Sequence, residues 1–90
     1  MALRDDFRFD DLQNIALDLV LDELEIQIGN RPGPVVVNQE IVLDLVAYAL
    51  NLLPPMYRTS LLGRVYAAGL RIQYGPEVSR AVQEAIQKIL

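Results

Sequence analysis

The chain has 90 residues, 52% of them hydrophobic, and a formal net charge of −4. It holds no cysteine and no histidine, which excludes disulfides, thiolate or imidazole metal sites and Cys–His nucleophilic chemistry. A chain this short forms one domain and buries only about 60–65% of the surface its unfolded form exposes, so a lone copy is marginal.

The first nine residues, MALRDDFRF, mix charges and aromatics and read as a loosely held arm; residues 10–90 read as a single helical domain. The acids of this region, Asp5, Asp6, Asp10 and Asp11, read as solvation of the arm and as helix capping rather than as a metal patch. Asp10 or Asp11 is placed to cap the first helix, because a carboxylate accepts the free N–H groups of the first turn. From there Leu12, Ile15, Ala16, Leu19 and Val20 follow the i, i+3, i+4 pattern. Leu17, Leu21, Leu24 and Ile28 form a second apolar row. Gly29 stops the helix, and NRPGP follows as a turn cluster.

Val35, Val36 and Val37 suit a short extended segment, too short for a sheet. Asn38 then suits an N-cap for a second helix over 39–53, again with apolar residues on more than one row. Pro54 and Pro55 end it, since proline lacks the N–H and drives the preceding residue toward extended geometry. A third helix is expected from Thr59 or Ser60 to about Gln73, with Gly63 and Gly69 inside it as points of close approach. Gly75-Pro76-Glu77 reads as the start of a fourth helix, with proline at the first position and an acid in the first turn. Val78, Ala81, Val82, Ala85, Ile86 and Ile89 mark its apolar face. The expected fold is all-α, a small four-helix domain. Its first two helices carry more apolar surface than one copy can cover, so a two-fold homodimer is expected.

No charged leader precedes an apolar segment and no run of about 18 apolar residues occurs. The expected location is therefore cytoplasmic, without a membrane. Charge is unevenly spread. Residues 1–54 carry Arg4, Arg8 and Arg31 against ten acids, a balance of −7; residues 55–90 carry Arg58, Arg64, Arg71, Arg80 and Lys88 against Glu77 and Glu84, a balance of +3. A chain with a pI of about 4.5 is a poor duplex-DNA binder, which needs a basic face with several phosphate contacts. Several arginines in one half still suit a small dianionic ligand.

The stretch VLDLVAYALNLLPPMYRTSLLGRVYA resembles the late competence development protein ComFB family. The likeness rests on Ala49, Leu50, Asn51, Leu53, Pro54, Pro55 and Tyr57, then Gly63, Val65 and Tyr66, and extends over most of residues 10–90. It implies a small dimeric all-α domain without known catalysis. Some members carry cysteines between the first two helices that hold zinc. This chain has GNRPGPVVVNQE there, so no metal or other cofactor is expected. That departure is similar to cyanobacterial members, several of which are receptors for cyclic dinucleotides such as cyclic di-GMP. The resemblance thus implies a second-messenger receptor with a downstream protein partner.

The residue chemistry is compatible with such a ligand. Arginine forks pair with guanine edges and phosphate oxygens, and aromatic rings and guanidinium planes stack on bases. Arg58, Arg64, Arg71, Tyr57 and Tyr66 lie close together in sequence, and Arg31 stands behind them as a turn residue. These are the expected ligand-binding residues, with cyclic di-GMP as the first ligand and cyclic di-AMP as the second. Plainer roles stand beside these: Tyr57 packed over the end of a helix, Tyr66 and Tyr74 at the core edge, Arg64 and Arg71 as partners for the acids of the first helix. An enzyme is not expected, because Lys88 is the only lysine and the acids lie on a solvent face. The competing class is a ligand-free dimeric interaction module supporting competence or another assembly.

Overall fold

The structure is a computed structural model that describes the backbone of residues 1–90 and the side chains of residues 1–59 and 67–90. Among the described residues there are four helices and one small ladder. They are α1 (Leu3–Asp6), β1 (Gln13–Asn14), α2 (Ile15–Gly29), α3 (Gln39–Asn51), β2 (Tyr57–Arg58) and α4 (Ser60–Ile89). The all-α expectation holds, but the helices are not divided as the sequence suggested.

The arm contains one helical turn, α1, with no buried residue and no side-chain cap. The first long helix starts later than Asp10 or Asp11. Its cap is Asn14, whose side-chain oxygen accepts a hydrogen bond from the Ala16 N–H at 3.1 Å. The cause is tertiary. Gln13 and Asn14 are held extended by antiparallel pairing with Arg58 and Tyr57, so helical geometry cannot begin before Ile15. Leu12 therefore falls outside the helix and is 49% exposed. On α2 the buried row is Ile15, Ala16, Leu19, Val20 and Leu24, whereas Leu17 and Leu21 of the second row are exposed.

Between α2 and α3, Gly33 takes a left-handed φ of 80°, which glycine adopts without steric cost. Val35 to Val37 join no sheet. Asn38 caps α3 as its sequence position indicated, accepting from the Ile41 N–H at 2.9 Å. Leu45, Val46 and Ala49 point from α3 into the core, and Leu53 and Met56 close it beyond the helix end.

The expected break at Gly75-Pro76 does not occur. One helix of 30 residues, α4, runs through it with Pro76 inside. Proline removes the N–H that would serve the carbonyl of Ile72 and commonly costs about 3 kcal/mol in a helix interior. Two circumstances reduce that cost here. Ile72 is 82% exposed, which puts this turn on the solvent side of the helix. Packing also holds both flanks, with Leu70 and Tyr74 against the core before the proline and Val78, Ala81, Val82, Ala85 and Ile86 buried after it. Gln27 adds a polar tie between α2 and α4. Its amide donates to Glu23 Oε1 at 3.0 Å and to the Ser79 carbonyl at 2.9 Å.

A helix of 30 residues spans about 45 Å, longer than the two it packs against, and the molecule is accordingly elongated, 52 × 28 × 18 Å. Of the close approach expected at the α4 glycines, a neighbouring backbone is not found at Gly69, where an added Cβ would meet nothing within 4 Å. Gly63 lies outside the described residues. Among the described residues no helix is long and apolar enough to cross a membrane.

Candidate functional site

The largest surface question is what Arg58 does. It follows the Pro54-Pro55 exit from α3 and belongs to β2, whose partner strand leads directly into α2. Asn14 locks this junction. The same side-chain oxygen that caps α2 also accepts from the Met56 N–H at 3.0 Å, and the Ile15 N–H donates to the Met56 carbonyl at 2.9 Å. The start of α2, the proline loop and β2 are thereby fixed to one another, and α4 passes alongside.

A hollow of about 350 Å³ opens where these elements meet. Ile15, Pro55, Met56 and Leu70 give it an apolar base, and Tyr57, Arg58 and Tyr74 bring two rings and a cation to it. Ile15 and Met56 are almost fully buried, whereas Tyr57 is 63% exposed. The Arg58 Nε is buried and among the described residues has no hydrogen-bond partner. Such an enclosed, unpaired donor costs about 1–3 kcal/mol.

The remaining expected ligand residues are distributed differently. Arg71 forms an ion pair with Asp22 of α2, Nη2 to Oδ2 at 2.9 Å, with both side chains more than half exposed. It borders a separate cleft of only about 70 Å³ with Leu19, Glu23 and Gly75. The pairing with an acid of the first long helix is the plainer role that the sequence allowed for Arg71, and in an exposed position it contributes about 0–1 kcal/mol. Arg31 is exposed in the turn after α2. It follows the far end of α2, whose first residue lines the hollow and whose 15 residues rise about 22 Å. Arg64 and Tyr66 lie outside the described residues. The structure therefore joins Tyr57 and Arg58 and sets Arg71 and Arg31 elsewhere.

Sequence reasoning missed Tyr74 as a wall of the hollow. Its spacing of four from Leu70 was the available signal, since residues four apart share a helix face. The break expected at Gly75 concealed it by placing Tyr74 beyond a helix end. Two other surfaces are notable. A groove of about 420 Å³, almost wholly apolar, is lined by Leu21, Leu24, Ile28, Val37 and Val42. A shallow cleft sets Arg80 between Glu77 and Glu84 beside Leu52. The arm acids are exposed, and among the described residues no three metal-ligating side chains gather.

Compared with known families, residues 13–90 match the family described as late competence development protein ComFB. No curated protein matches the chain, and no solved structure does. The family match begins at Gln13, the first residue of the ladder, and takes in α2, the clasp at Asn14, the proline loop and the whole of α4. With nearly its full length matched in this way, the chain belongs to the ComFB family.

Proposed function

We propose that this chain is a receptor for a cyclic dinucleotide, cyclic di-GMP first and cyclic di-AMP second. In this reading it acts in the cytoplasm by binding rather than catalysis, as a two-fold homodimer that reports its ligand state to a protein partner. The cysteine-free turn between α2 and α3 supports the cyanobacterial type of the family. One observation carries the reading: Arg58 lines a hollow with Tyr57 and Tyr74, and among the described residues its guanidinium has no carboxylate partner. An arginine fork beside aromatic rings is the donor set that purine edges and phosphates recruit. Supporting the dimer are large apolar residues left exposed on three helices, among them Leu17 and Ile26 of α2, Leu43 of α3 and Ile72 of α4. In the receptor, Arg64, Tyr66, Arg71 and Arg31 are further candidates. Arg71 would have to leave Asp22 to reach a ligand, which the weakness of an exposed ion pair permits.

Isothermal titration against a panel of cyclic dinucleotides tests the reading. Micromolar or tighter binding that is lost in Arg58→Ala, with the fold intact, supports it; no heat with any member of the panel sinks it. Light scattering tests the dimer separately, and a stable monomer removes the two-fold argument. The apolar groove beside Val37 and Val42 favours a second reading, a ligand-free interaction module whose dimer binds other proteins in competence or another assembly. Silence across the panel together with a stable dimer selects that module.

A further inference from the structure

The two helices that wall the apolar groove carry charge of one sign only. α2 holds Asp18, Asp22, Glu23 and Glu25, α3 holds Glu40 and Asp44, and neither helix has a lysine or an arginine. Asp22 is met by Arg71 of α4; the other five acids have no cation partner among the described residues. The groove, about 420 Å³, is lined by Leu21, Leu24, Ile28, Val37 and Val42, with Glu25 as its one ionised lining side chain among the described residues. Asp18, Leu21, Glu25 and Ile28 recur at intervals of three and four, so they share one face of α2. Two acids therefore stand along the α2 wall of an apolar seat. Leu21 is 37% and Val37 39% exposed, apolar surface that the chain itself leaves uncovered.

Charge selects among the possible occupants. The chain's own arm brings Phe7 and Phe9, both half exposed, but Asp5, Asp6, Asp10 and Asp11 outnumber Arg4 and Arg8 there. The same face of a second copy would set these acids against their own copies. An anionic membrane surface would be repelled in the same way. A partner with an apolar stripe and with lysine or arginine beside it gains twice, because it covers the leucines and valines and meets unpaired carboxylates. The groove lies beside α2, along which Leu21 to Ile28 rises about 10 Å, two turns of a helix laid against it.

We propose that the α2–α3 groove docks a basic amphipathic helix of a partner protein, with its apolar stripe on Leu21, Ile28, Val37 and Val42 and its cations beside Asp18 and Glu25. The inference rests on the reading that the chain acts through a protein partner, and adds where that partner sits and what charge it carries. It does not rest on the ligand. The groove shares no lining residue with the Arg58 hollow, which meets α2 only at Ile15.

Two labelled model helices of about 18 residues serve as probes, one of leucine and lysine and one of leucine and glutamate, each with its leucines on one face. Fluorescence anisotropy with the full chain should show the leucine–lysine helix bound at about 1–100 μM and the leucine–glutamate helix at least about tenfold weaker. Two variants at exposed positions, checked for folding by circular dichroism, locate the contact. Leu21→Asp adds negative charge, so attraction to the acidic surface at large would strengthen binding of the leucine–lysine helix. Seating in the groove predicts a loss of about tenfold or more instead. Glu25→Lys should weaken the leucine–lysine helix about threefold or more and tighten the leucine–glutamate helix. Equal binding of both probes overturns the docking site, as does leucine–lysine binding that Leu21→Asp leaves unchanged or strengthens. No binding of either probe also overturns it. So does a dimer in light scattering that Leu21→Asp splits, because a second copy then fills the groove. The receptor reading stands or falls on titration with cyclic dinucleotides, so each proposal is decided by its own measurement.

Discussion

Asn14 and Met56, 42 residues apart in sequence, are joined through the Asn14 side-chain oxygen, which accepts from the Met56 N–H at 3.0 Å while also capping α2 through Ala16. One acceptor atom thus serves a helix start and a loop that leads to Arg58. A single substitution there should be felt in both places.

Asn14→Ala removes the cap and leaves the Met56 N–H without its acceptor. The expected loss is about 1.5–5 kcal/mol, roughly 0.5–2 for an N-cap and about 1–3 for the orphaned amide. Asn14→Asp keeps an acceptor oxygen and should retain most of the stability. Thermal unfolding followed by circular dichroism distinguishes the two. Equal losses in both variants would show that the acceptor is not what matters.

Arg58→Leu should leave the ligand-free protein within about 1 kcal/mol of its original stability, or slightly above it, because among the described residues the buried Nε–H has no partner. Binding to cyclic di-GMP should be lost in the same variant. Urea unfolding beside titration reads both quantities. A destabilisation of more than about 2 kcal/mol would assign Arg58 a structural role instead.

Pro76→Ala restores the N–H that the Ile72 carbonyl lacks, inside a helix that is already continuous. Stability should rise by about 1–2 kcal/mol, since the gain in helix propensity is partly offset by a freer unfolded chain. Urea midpoints with an unchanged slope would register it. A lower midpoint would mean that the proline ring itself makes a needed contact.

Two leucines on α3 give a contrast. Leu45 is fully buried and Leu43 is 56% exposed, although only one residue stands between them. Leu45→Ala should cost about 2–5 kcal/mol through the lost transfer energy and the cavity it leaves. Leu43→Ala should stay within about 0.5 kcal/mol in a monomer, so any larger, concentration-dependent loss would report a partner covering that leucine.

Much of the scaffold was legible. Asn38 as a cap, Gly29 as a helix end and the apolar row from Val78 to Ile86 all emerged from residue type and spacing, because each depends on neighbours within a turn or two. Three features were not. Asp10 and Asp11 suited a cap as well as Asn14 did, and only the pairing of Gln13 and Asn14 with β2 separates them. Gly75-Pro76 reads locally as a helix start, yet packing on both flanks carries α4 through it. Arg58 and Arg71 were equivalent as letters; Arg71 is paired with Asp22, whereas among the described residues Arg58 has a buried nitrogen without a partner.

By its sequence alone this protein was determined to be a small helical domain free of cysteine and histidine chemistry and akin to the ComFB family, since periodicity, composition and motif spacing are properties of the chain itself. Only the tertiary structure decided where α2 begins, that one long helix replaces two, and which cation borders a hollow with Tyr57 and Tyr74. Those outcomes depend on groups brought together from distant parts of the chain, where the energy of a contact is set by its partner and its access to water.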